Sequence, residues 1–178
     1  MNAISLSRRA LFPPRTVSLF ADRLALGGAL AGLGGGLAMT IVAALLTRAL
    51  DQDLWLQPKV IAGLVLGSSA TAQAGFVAAP VLVGLLIHLA VSVLLGILFA
   101  IGMRRIARLP SDYGVPEVAG LAYGLLIWLV AYFVLLPLLA PTLLGIYAPA
   151  LLIQHIVYGT VTGLLYAVLR PQPYAAMG

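Results

Sequence analysis

Apolar residues dominate this chain in long stretches that have neither the alternation of a half-buried strand nor the single stripe of a soluble helix. No charged residue occurs from Leu24 to Thr47, from Ile61 to Met103 or from Val118 to Leu169. About 20 apolar residues in a helix cross the hydrocarbon core of a bilayer. The first run fits one span. The third is too long for one, and Pro137, Pro141 and Pro149 divide it. The pattern predicts four helices, over about 26–50, 80–103, 118–139 and 148–169.

In lipid, backbone polar groups must be paired within the structure, and no alternating strand pattern offers a barrel. The expected fold is all-α, an integral membrane four-helix bundle occupying residues 26–170 as one transmembrane domain. Residues 1–25 are expected to form an N-terminal segment and 171–178 a tail, both cytoplasmic.

Two hairpins are expected, because the second half echoes the first. "AGLGGGL" at Ala31–Leu37 aligns with "AGLAYGL" at Ala119–Leu125. "HLAVSVLLGILFA" from His88 aligns with "HIVYGTVTGLLYA" from His155, and these hold the only two histidines. Both hairpins enter from the same side, so a parallel repeat about an axis along the membrane normal is expected.

The connecting segments differ. Asp51–Ala79 is long and contains "LWLQPKVIAGLVLG". Its apolar part is too short to span. A short interfacial helix over 55–68 is expected, with Pro58 at its first position and Trp55 as an interfacial anchor. The second outer connection, "APTLLGIY", is expected as a tight turn.

Composition agrees with the pattern. The chain is 62% hydrophobic and 8% charged, where a soluble domain carries about 25% charged residues. Its mean hydropathy is +1.11. Charge placement then orients it. Arg8, Arg9, Arg15, Arg23, Arg104, Arg105, Arg108 and Arg170 fall on one side, and only Arg48 and Lys59 on the other. Cytoplasmic flanks collect Lys and Arg, so both termini are expected in the cytoplasm. The net charge of +5 is read as topology and contact with anionic lipid, not nucleic-acid binding. "SRRALF" loosely resembles a twin-arginine export signal, but paired arginines also anchor a first helix. With no cysteine there is no disulfide or thiolate chemistry.

Residues four apart share a helix face. Gly28, Gly32, Gly36 and Thr40 form one small-residue ladder and Gly120 with Gly124 another. Gly96 lies on the face of His88, and Gly159 and Gly163 on that of His155. All eight glycines are expected at helix contacts, because small residues let backbones approach closely in lipid. A histidine on such a face needs a further reason, since an ionisable residue inside a span marks a functional site by default. The two imidazoles are expected to meet across the core in the outer leaflet. One use is structural hydrogen bonding, with Thr40, Tyr132 and Tyr158 as partners and no cofactor. The other is ligation of one non-covalent haem b by His88 and His155, haem being a usual cofactor of bundle cores.

An enzyme is not expected. No acidic residue falls within a proposed span, no activated Ser or Cys nucleophile is visible, and two histidines alone make a poor zinc site. The expected role is a small subunit or accessory of a larger membrane assembly, a respiratory one among the candidates, in contact with lipid and with other subunits or a second copy. A bis-histidine electron carrier is the alternative, and a small transporter or proton conductor the third. The "HIVYG" segment, the Gly-rich first helix and "PKVIAGLVLG" together resemble a family of small four-helix bacterial membrane proteins of unassigned function, over about Gly27 to Leu169. That resemblance implies a bacterial inner-membrane location and assigns no site residue.

Overall fold

A computed structural model describes residues 23–110, 114–139, 141, 144 and 148–169. Its helices are α1 (Arg23–Ala49), α2 (Leu56–Leu66), α3 (Ala78–Ile101), α4 (Val115–Val130), α5 (Leu136–Leu139) and α6 (Ala148–Leu169). A 3₁₀ turn, Ser68–Thr71, follows α2. There is no strand among the described residues. Four stretches are long and apolar enough to cross a membrane: Leu24–Ala49, Ala78–Ile106, Val115–Leu139 and Ala148–Leu169. The arginine pair of the N-terminus and most of "APTLLGIY" lie outside the described residues.

The boundaries move for local reasons. The third span starts at Val115, earlier than expected, after Gly114 in a left-handed conformation (φ 76°). Pro116 sits in its first turn, where no backbone N–H is needed. Glu117, expected outside the span, therefore falls in that first turn, where a negative charge suits the helix dipole. Pro58 is the third residue of α2 rather than the first, again within the first turn. The residue run before Pro137 opens into a π turn, Ala131–Leu135, closed by the Leu136 N–H on the Ala131 carbonyl. Such a wide turn accommodates a proline that cannot donate. The span thus continues through Pro137 to Leu139 and does not stop before it.

α1 packs along both α3 and α6, α4 packs along α6, and α2 packs against α3. The corner order is therefore α1, α3, α4, α6, with α3 diagonal to α6. Glycines make the tightest seams. A Cβ on Gly32 would strike the Ser92 carbonyl and the Gly96 Cα across α1 and α3. A Cβ on Gly120 would strike the Gly159 carbonyl and the Gly163 Cα across α4 and α6. Gly28 and Gly36 extend the first seam toward Ala100 and Ser92, and Gly124 extends the second toward the His155 carbonyl. Without a hydrophobic drive between helices in lipid, this close van der Waals contact is what holds them.

The fourth side is different. Gly35 lets α1 close on Tyr158 and Thr162 of α6. In the sequence alignment of the halves, Tyr123 occupies the place of Gly35. Tyr123 stands between α4 and α3, its hydroxyl donating to the Leu95 carbonyl (2.9 Å) and its ring 5.3 Å from that of Phe99. Phe99 also meets Tyr166 edge-on at 5.7 Å. With Leu24, Ala31 and Met103 these rings fill the half of the bundle away from α2. The α3–α4 seam is thus wedged by a side chain where the α1–α6 seam is closed by backbone.

Candidate functional site

The wedge at Tyr123 leaves the other half of the bundle open, and a cavity of about 600 Å³ forms there. All four spans and α2 contribute to its wall, and both histidines line it. Tyr158, three residues beyond His155 on α6, is buried and donates to the Ser92 carbonyl across the α6–α3 diagonal (2.8 Å). Ile41, Leu64, Val91, Leu135 and Leu139, which line the cavity, are exposed, so it is open to the outside of the bundle.

His88 lies in the second half of its helix's first three turns, and Gly36 is its neighbour across the α1–α3 seam. Its Nε2 is 3.3 Å from the Gly36 carbonyl, which also accepts from Thr40 Oγ1 at 2.9 Å. His155 Nδ1 is 2.7 Å from the Leu151 carbonyl one turn back on its own helix. A carbonyl only accepts, so each contacting nitrogen carries the proton. The remaining nitrogens, Nδ1 of His88 and Nε2 of His155, are left as lone-pair acceptors. The expected partners Thr40, Tyr132 and Tyr158 do not bind the imidazoles. Backbone carbonyls do: the α1–α3 glycine seam brings the Gly36 carbonyl to His88, and helix periodicity places the Leu151 carbonyl beside His155.

Gln154 stands beside His155 on the wall, 1% exposed, and its Nε2 has no partner. A buried amide donor left unpaired costs about 1–3 kcal/mol. Among the described residues, no three His, Cys, Asp or Glu gather as a metal site.

α2 forms the ceiling. A Cβ on Gly84 would strike the Pro58 carbonyl, so α2 crosses α3 at backbone contact. On its other side Val60 packs on Leu151, with Trp128, Tyr132 and Leu136 around them. Ile61 and Leu64 face the cavity. α2 is therefore wedged against α3 and against Leu151 of α6. Trp55, expected as an interfacial anchor, lines the cavity and meets Phe76 edge-on at 5.0 Å.

Lys59 explains how a polar segment can be held there. Its side chain is 1% exposed, and its Nζ donates to Asp53 Oδ2 (2.9 Å), the Gln73 carbonyl (2.8 Å) and the Gly75 carbonyl (3.1 Å). All three ammonium donors are used. Asp53 in turn accepts from the Trp55 and Gly75 N–H groups. The hydrogen bond from Lys59 foremost, then those from backbone N–H groups, hold its carboxyl below the usual 3.8.

These features meet in one chain over nearly its whole described length. The chain belongs to DUF6789, a family of unknown function, whose model matches residues 23–177. No curated protein and no solved structure matches it. In this DUF6789 chain the eight glycines expected at helix contacts lie at the two seams, and the two histidines border one cavity. Sequence reasoning missed Gln154, the role of Lys59 and the use of Gly35. The run of three glycines, Gly34–Gly36, was the available signal for the last, since adjacent glycines on a helix face two different neighbours.

Proposed function

We propose that this protein is a non-enzymatic component of the bacterial inner membrane that holds a lipid-soluble small molecule in the His88/His155 cavity. The observation that carries this reading is a cavity of about 600 Å³ with an apolar wall and a few convergent polar groups. Binding sites for small molecules run to about 300–1,000 Å³ with that same character. The opening would admit a molecule from the bilayer without passage through water. The uncovered face of the third span, with Val118, Leu126 and Phe133 exposed, suits contact with lipid or with another membrane subunit, in keeping with an accessory role. The two hairpins are a duplicated unit in this reading. In support, Gly32 meets Gly96 in one hairpin and Gly120 meets Gly163 at the aligned positions of the other.

The test is recovery of bound small molecules from native membranes. Wild-type protein is expected to retain one that Ala43→Trp, which fills the cavity, loses. Wild type that retains nothing beyond what the filled variant retains would overturn the reading. Non-covalent haem b is the second reading, favoured by two imidazoles on one cavity. Ligation by Nε2 of His88 would first require release of the Gly36 carbonyl. A strong visible band in the same preparation, abolished by either His88→Ala or His155→Ala, is the outcome haem requires.

Orientation follows from the arginine asymmetry, with both termini and the Arg104–Arg108 turn cytoplasmic and α2 facing the periplasm. Reporter fusions at Gly178 and near Asp53 are expected to report cytoplasm and periplasm respectively. A periplasmic signal from Gly178 reverses the assignment.

A further inference from the structure

We infer that the occupant of the cavity is an uncharged alcohol with a long apolar body, its hydroxyl seated among Gln154, His155 and His88. This rests on the reading of the cavity as a ligand site and adds the chemical class.

Charge comes first. None of the residues lining the cavity is Asp, Glu, Lys or Arg. An ionised head there would have no countercharge, and an unpaired charge out of water is the most costly group to bury. That disfavours carboxylates, phosphates and ammonium heads alike.

Hydrogen-bond complementarity comes next. Gln154 holds an unpartnered N–H donor buried just behind the cavity wall, which reaches an occupant by a turn of its side chain. The histidines, each already donating to a backbone carbonyl, offer only lone pairs. A site with donors alone would suit a ketone or ether. A site with acceptors alone would suit a bare N–H. This wall has both, and a hydroxyl is the smallest group that donates one bond and accepts another at a single atom. It would donate to an imidazole lone pair and accept from the Gln154 amide. Thr40, Thr47 and Gln57 also line the wall, the two threonine hydroxyls already donating to the Gly36 and Ala43 carbonyls, while Ile61, Leu85, Ile87, Leu135 and Leu136 give an aliphatic surface that takes an apolar body.

The experiment uses the full chain in nanodiscs of zwitterionic phospholipid. The probe is hexadecanol carrying a mid-chain diazirine, crosslinked by light and mapped by mass spectrometry. Labelling is expected on peptides bearing Ile61 and Leu135, and excess unlabelled hexadecanol should suppress it. Labelling of lipid-facing Val118 should not respond. Hexadecyl methyl ether, which accepts but cannot donate, should compete about three- to tenfold less well, the size of one net hydrogen bond. Hexadecanoate should compete no better than the ether. Gln154→Leu should narrow the gap between the alcohol and a hydrocarbon competitor, hexadecane. The wild-type competitor series decides the matter even if that variant does not fold. An ether that competes as well as the alcohol overturns the hydroxyl assignment while the cavity reading stands. Cavity peptides that no probe labels, or that label without competition, overturn both.

Discussion

Gly96→Leu and Gly120→Leu are each expected to abolish recovery of monodisperse protein in mild detergent, whereas Gly63→Leu should behave as wild type. A Cβ on Gly96 would meet the Gly28 carbonyl and the Gly32 Cα. A Cβ on Gly120 would meet the Gly159 carbonyl and the Gly163 Cα. These obstacles are main chain, so no rotamer change relieves them. Overpacking against movable side chains costs about 1–3 kcal/mol, and separating two backbones costs more because the whole seam is lost. The damage should be similar in the two hairpins, since their seams have the same construction. Gly63 is the control because a Cβ there meets nothing within 4 Å. Size-exclusion profiles and thermal scans provide the readout. Variants at Gly96 and Gly120 that elute and melt like wild type would show that the helices do not touch where the glycines are.

The second large effect belongs to the ion pair under α2. Asp53→Ala is expected to be more damaging than Lys59→Met. Removing the carboxylate leaves an ammonium that is 1% exposed with only the Gln73 and Gly75 carbonyls for company. Breaking a buried pair from one side costs about 3–5 kcal/mol because the other charge stays buried. Removing the lysine instead leaves Asp53, whose side chain is 28% exposed and can rehydrate, so the cost falls toward the lower end of that range. The double variant should be less harmful than the sum of the singles. Melting temperature and the rate of protease cleavage within residues 66–77 measure it, the latter because the staple ties that segment to α2. Equal damage from the two single variants would mean that Lys59 is not enclosed.

The same pair sets a pH dependence. The carboxyl of Asp53 is held below its ordinary 3.8, chiefly by the hydrogen bond from Lys59. A depressed acid stabilises the fold above its unfolded value, and that contribution disappears as pH falls through the lower folded value. The staple therefore contributes fully at neutral pH and releases only below 3.8.

Much of the architecture was determined by the sequence alone. Gaps between charges, with the prolines that divide the longest gap, set the number of spans, because a charged group in hydrocarbon is costly whatever surrounds it. Four-residue spacing of small residues set which faces pack, because helix periodicity is a local property. The two histidines could be assigned to the core for the same reason. What each face meets was decided only by the tertiary structure. Gly35 and Tyr123 occupy aligned positions in similar helices, yet one admits a neighbouring backbone and the other holds a helix away. That difference of one side chain opens the cavity, and nothing local in either helix announces it. Lys59 reads only as a lone positive charge on the short outer helix, since its three acceptors come from residues 6, 14 and 16 positions away and converge only on folding. The Gly36 carbonyl, 52 residues away in the chain, takes His88 in place of every expected hydroxyl because distance in the folded bundle, not residue type, selects that hydrogen-bond partner.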